Sequence, residues 1–182
     1  NVMDKTKLEL GDDKQKTGVY EMSFTVKNFG SAALSYDLGA YVLTEGVSDT
    51  LTSHGQTTVT EMAYSLDGAI FEVVKVDGGS VNGKNLTVAA GKEAKVTVKI
   101  TLSDADKQYL NDSFKNGMYV EGFITLTATA GTEIDMSVPY LAFYGDWTKA
   151  PQLDLDYFET DADDKNDSKP VEDKVMPDAY ST

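Results

Sequence analysis

The stretch that decides the fold runs from Tyr119 to Leu153: Y-V-E-G-F-I-T-L-T-A-T-A-G-T-E-I-D-M-S-V-P-Y-L-A-F-Y-G-D-W-T-K-A-P-Q-L. Two apolar-rich runs, Met118 to Thr129 and Ile134 to Phe143, flank a Gly-containing turn, which is the pattern of a hairpin. An aromatic corner, Phe143-Tyr144-Gly145-Asp146-Trp147, closes it. Pro139 brings no N–H to a ladder, so it marks a sheet edge, a bulge or a crossing.

Working outward, period-two alternation dominates. Tyr20, Met22, Phe24 and Val26 alternate with polar residues and predict a half-buried strand that stops at Asn28-Phe29-Gly30-Ser31. Ala94, Val96, Val98, Ile100 and Leu102 alternate in the same way after the turn Ala90-Gly91-Lys92-Glu93. Further strands are expected at Lys7 to Leu10, Leu34 to Leu43, Ala69 to Val76 and Asn85 to Ala89. Thr44 to Thr60 is polar and reads as a long loop leading into a weak strand, Thr57 to Met62. Ser103-Asp104-Ala105-Asp106 is a helix start, with Ser103 as the N-cap and acids in the first turn. Leu110 and Phe114 share one face of that helix, Asn116-Gly117 stops it, and it is expected to bridge the two sheets at one end. Eight or nine strands with one short helix predict an all-β, two-sheet Greek-key sandwich of the fibronectin type III or immunoglobulin kind.

Composition narrows the function. The 182 residues carry a net charge of −14, with 16 basic residues, all lysine. An acidic surface without arginine argues against nucleic-acid binding and against attraction to anionic lipid. Cysteine is absent, which removes disulfides, thiolate metal sites and cysteine nucleophiles. No apolar run is long enough for a transmembrane helix, so no direct membrane insertion is expected. Cysteine-free chains of this size suit the cytosol or the outside of a Gram-positive-type cell. Asn1-Val2-Met3-Asp4 reads like the interior of a longer protein.

The division expected is a sandwich over residues 1–151 and an acidic extension over 152–182. The last 31 residues hold ten acids and three lysines, so half the net charge sits in a sixth of the chain. Its apolar points are too few for a core of its own, and it reads as a linker or the truncated start of a following domain.

Candidate chemistry is sparse. His54 is the single histidine, but no G-x-S-x-G elbow accompanies it, and a loop-surface role is expected. Glu121 is the carboxylate to consider for acid–base work; mid-strand beside Gly122, it reads as an outward-facing residue. Asp161, Asp163, Asp164 and Asp167 offer clustered oxygens for calcium. D-A-D-D-K-N-D lacks the turn glycine and the position-twelve glutamate, so a solvated linker and no cofactor are expected. Three N-x-S/T sequons, at Asn85, Asn111 and Asn166, read as chance matches. Tyr144 and Trp147 are candidates for an aromatic platform in a carbohydrate-binding or adhesin-type sandwich. In the competing reading Phe143, Tyr144, Asp146 and Trp147 form the end of the sandwich that meets a neighbouring domain. An exposed coplanar Tyr144/Trp147 pair would favour the first and a buried Trp147 the second.

Three segments carry a family resemblance: Phe24-Thr25-Val26-Lys27-Asn28, the Ala89 to Val98 run A-A-G-K-E-A-K-V-T-V, and above all Tyr119 to Leu153. Over roughly Lys5 to Leu153 the chain resembles the fibronectin type III-like domain that follows the catalytic domain of subtilisin-like cell-envelope serine peptidases, the lactocepin and complement-cleaving group. The resemblance implies a non-catalytic accessory module of an extracellular, wall-associated bacterial peptidase. Its implied partners are the catalytic domain of the same polypeptide and the protein substrate. The catalytic Asp, His and Ser of that family have no counterpart here, so no catalytic residue carries over.

Overall fold

A computed structural model describes residues 2–51, 57–129 and 133–149. Eleven strands, one α-helix and one 3-10 turn are found among them. In chain order the strands are β1 (Val2–Met3), β2 (Leu8–Asp12), β3 (Val19–Lys27), β4 (Leu34–Leu51), β5 (Thr57–Ser65), β6 (Ile70–Asp77), β7 (Ser80–Asn82), β8 (Asn85–Val88) and β9 (Glu93–Thr101). Helix α1 (Asp104–Ser113) follows, then β10 (Met118–Ala128), β11 (Met136–Tyr144) and the 3-10 turn Trp147–Lys149. Residues 150–182, with the aspartate cluster, lie outside the described residues, as does His54.

The strands form two sheets. One has four strands in the order β1-β3-β9-β6. The other has seven: β2-β11-β10-β4-β8-β7, with β5 also on β4. The alternation read in the sequence puts one side chain in two between the sheets. Phe24, Val26, Val96 and Ile100 of the smaller sheet face Tyr36, Leu86, Ile124 and Leu126 of the larger, all fully buried. Each such side chain contributes roughly 1.5–3 kcal/mol relative to exposure, which is what holds the layers together.

Local chemistry explains the joints. Asn28, at the end of β3, is 2% exposed. Its amide donates to the carbonyls of Ala32, Val88 and Ala89 at 2.8, 3.1 and 3.1 Å, and its Oδ1 accepts from Gly30 N at 2.8 Å. The F-x-V-x-N ending is therefore a polar clasp between the sheets. The chain passes from β6 in one sheet to β7 in the other through Gly78-Gly79. A Cβ on Gly78, at φ +85°, would sit 2.4 Å from Glu93 O, and one on Gly79 would sit 2.8 Å from the Ala94 Cβ. Only glycine fits where the backbones cross this closely.

The helix starts as expected. Ser103 caps it, and Asp106 completes a capping box by accepting from Ser103 N at 2.9 Å. Asp106 Oδ1 also accepts from Gly68 N at 3.3 Å, tying the β5–β6 turn to the helix. Because α1 joins β9 to β10, it links the two sheets.

Two expectations need correction. Thr44 to Thr60 is not one long loop. Strand β4 continues to Leu51 and pairs with β5, with register shifts after Glu45 and after Val47. Among the described residues the strand count is eleven, because β1 and β7, of two and three residues, are too short to show alternation. Pro139 sits in β11 opposite Phe123, and the parallel partner β2 begins at Tyr140, just past it.

Candidate interaction face

The site begins with register. Strands β4, β10 and β11 lie side by side, so residues pointing outward line up in transverse rows. Tyr41, Phe123 and Pro139 form one row. Leu43, Glu121 and Leu141 form the next, with Glu9 of β2 beyond Leu141. Tyr119 and Phe143 form a third. Tyr41 is 64% exposed and Phe123 44%, and Tyr119 and Leu141 are also open to solvent.

Trp147 extends this face at one end. Its ring meets Phe143 edge to face at 5.2 Å and lies 5.5 Å from Tyr119 at 39°. Tyr119 and Phe143 meet edge to face at 5.3 Å. The turn that carries Trp147 is fixed by acids. Asp12 Oδ2 accepts from Trp147 N at 3.1 Å. Asp146 accepts from Thr148 Oγ1 at 2.6 Å and lies 3.4 Å from Lys14 Nζ. The Thr148 hydroxyl bond, ahead of Lys14, holds the Asp146 carboxyl below its ordinary range. A groove of about 230 Å³ runs between Glu9, Asp12, Tyr119, Leu141 and Trp147.

The residues nominated from sequence separate into two groups. Phe143 and Trp147 come together on this face, and Asp146 holds the turn that carries Trp147. Tyr144 does not join them: it is 1% exposed, packs in the core, and accepts from Asn111 Nδ2 at 3.4 Å. No Tyr144/Trp147 platform forms, and Trp147 remains 47% exposed. Glu121 is exposed at mid-face between two leucines. Tyr119 and Tyr41 were not singled out in the sequence; only the pairing register shows them beside Phe143 and Phe123.

Gly122, beside Glu121, explains the V-E-G-F run. It points inward at φ +151°, and a Cβ there would fall 2.0 Å from Tyr41 O. Tyr140, opposite Gly122, reaches across it to donate from Oη to Tyr41 O at 2.9 Å. Burial, with Glu121 nearby, pushes the Tyr140 hydroxyl well above the ordinary tyrosine range.

Among the described residues no group of three or more His, Asp or Glu is arranged to hold a metal. No helix among them is long and apolar enough to cross a membrane. What the face offers is aromatic and aliphatic surface around a carboxylate, suited to contact rather than to covalent chemistry.

The family profile of the Fn3-like domain matches residues 8–141, and the chain belongs to that family. Over 148 residues it is 28% identical to the PI-type proteinase of Lactococcus lactis subsp. cremoris and 27% identical to the PII-type proteinase of Lacticaseibacillus paracasei. Both alignments cover 81% of this chain and 6% of the proteinase. It is also 27% identical over 95 residues to the C5a peptidase of Streptococcus pyogenes serotype M1, covering 52% of this chain and 8% of that protein. The chain thus spans only a small part of the length of the curated relatives it matches.

Proposed function

We propose that this chain is a non-catalytic accessory module of an extracellular, cell-wall-associated subtilisin-like serine peptidase, packing on the catalytic domain and shaping substrate access. The observation that carries the reading is the extent of the alignment: four-fifths of this chain matches a short stretch of much longer proteinases. Its Fn3-like fold supports a supporting role, since the face just described offers contact surface and a single central carboxylate. Packing of this kind stabilises both domains by linkage, because each binds only the native form of the other.

The coding sequence preceding Asn1 in the gene tests this directly. A subtilisin-like domain with its Asp, His and Ser motifs supports the reading; a signal peptide alone contradicts it. The net charge of −14 further suggests that the module steers cationic substrates, an effect that weakens with salt. Equal cleavage of cationic and anionic peptides at low salt by the full-length protein would count against steering.

A further inference from the structure

The two outward sheet faces differ in how their charges are partnered. On the four-stranded sheet, Lys27 pairs with Glu93 at 3.1 Å and Lys99 with Glu72 at 2.8 Å. The Ser23 and Thr97 hydroxyls meet at 2.8 Å between them. Charges of both signs are paired along most of this face, with Val19 and Ile70 exposed in the row at one end, and the paired part suits a face that stays in water. The seven-stranded sheet instead presents the apolar rows of β4, β10 and β11. Glu121 stands among them and makes no hydrogen bond or ion pair among the described residues. The neighbouring rim acids are already engaged, Glu9 by Lys7 at 2.6 Å and Asp12 by Trp147 N at 3.1 Å.

We infer that the outer face of the seven-stranded sheet, through Tyr41, Tyr119, Phe123, Leu141 and Trp147, seats the neighbouring catalytic domain, and that Glu121 receives a lysine or arginine from it. This rests on the accessory-module reading. The apolar rows exclude water when covered, as the rim of a hot spot does. A carboxylate enclosed by them without a counter-charge is strongly unfavourable, so the covering surface must bring a cation. Arginine suits the position best, since its planar fork meets a carboxylate through two hydrogen bonds.

Charge and shape weigh against other occupants. A second copy of this chain, packed about a two-fold axis, would set one Glu121-bearing face against another within an assembly of two −14 chains. A sugar ring stacks on a flat aromatic floor, whereas the Trp147 plane is turned 39° from Tyr119 and 89° from Phe143.

The test is photo-crosslinking in the full-length polypeptide, with p-benzoylphenylalanine in place of Phe123 or, on the opposite face, in place of Lys95. Expected are crosslinks from position 123 into catalytic-domain peptides and none from position 95. Crosslinks from position 95 instead, or from neither, overturn the assignment of the face. Crosslinks from position 123 to a second copy or to wall glycan overturn the occupant. A polypeptide without a subtilisin-like domain fails the accessory-module reading itself, so the two failures are distinguishable.

A second arm addresses the cation. Glu121→Lys in the full-length polypeptide is expected to speed thermal inactivation of the peptidase about tenfold or more, and Glu121→Gln less. The 182-residue chain carrying Glu121→Lys should unfold as the unsubstituted chain does, since the side chain is exposed. Inactivation unchanged by Glu121→Lys overturns the role given to Glu121.

Discussion

The rings of Phe143 and Trp147 meet edge to face, with centroids 5.2 Å apart and planes at 89°. Phe143 is the next-to-last residue of β11 and Trp147 opens the 3-10 turn beyond it, so this contact fixes that turn against the strand. Edge-to-face pairs are worth about 0.5–1.5 kcal/mol beyond area burial. A double-mutant cycle of Phe143→Ala and Trp147→Ala, followed by urea unfolding, should give a coupling of about 1 kcal/mol. Additive effects would show that Trp147 is not held by Phe143.

Gly122 and Tyr140 act as a unit. Gly122→Ala places a methyl against Tyr41 O at a backbone angle that L-residues rarely adopt, and should cost about 3 kcal/mol or more. Tyr140→Phe removes only the hydroxyl bond to Tyr41 O and should cost about 1–2 kcal/mol. Denaturant midpoints at unchanged slope measure both. A Gly122→Ala chain as stable as the original would mean that β4 and β10 are not paired as described.

Asn28 is a second rigid point. Asn28→Ala leaves three carbonyls without their donor and should cost about 3 kcal/mol. Asn28→Asp should be no better, because a carboxylate cannot donate to carbonyl oxygens. Thermal unfolding near neutral pH reads out both, and rescue by aspartate would contradict the clasp.

Alkaline pH should weaken the fold through its buried tyrosines. Burial first, then Asp13, raises the Tyr20 hydroxyl, and burial first, then Glu121, raises Tyr140. Unfolded tyrosines ionise near 10. Above that pH the unfolded chain therefore binds fewer protons than the native one, and stability falls as pH rises. Below it this contribution is fully present. Urea unfolding between pH 8 and about 11.5 should show a flat region and then a decline, less steep in Tyr140→Phe. Stability that stays level past pH 11 would contradict the burial of these hydroxyls.

Much of this architecture is legible in the sequence where a strand has one wet face and one dry face. Strands β3 and β9 alternate cleanly because their outer residues carry paired charges and hydroxyls. The start of α1 is legible because its capping box is local, with Ser103 and Asp106 three residues apart. The second half of β4 is not. Beyond Leu43 its described pairing is with β5 alone, and the polar run from Thr44 shows no clear alternation and reads as loop. The parallel contact of β2 with β11 joins segments about 130 residues apart, and no local pattern encodes it.

The interaction face shows the same division. Phe143 and Trp147 stand out as an aromatic cluster in the sequence, and Tyr144 shares it, but alternation along β11 turns Tyr144 into the core. Tyr41 and Tyr119 join the face only through strand register, a long-range property. Glu121 reads as outward-facing from its position between Val120 and Gly122, yet its apolar neighbours Leu43 and Leu141 come from other strands.

The most direct test is the thermal inactivation of the full-length peptidase carrying Phe123→Asp, set beside unfolding of the 182-residue chain with the same change. Phe123 is exposed in this fold, so the short chain should unfold within about 0.5 kcal/mol of the original. If the outer face of the seven-stranded sheet seats the catalytic domain, the full-length protein should inactivate several degrees lower. The same inactivation temperature with and without the substitution would contradict the proposed docking.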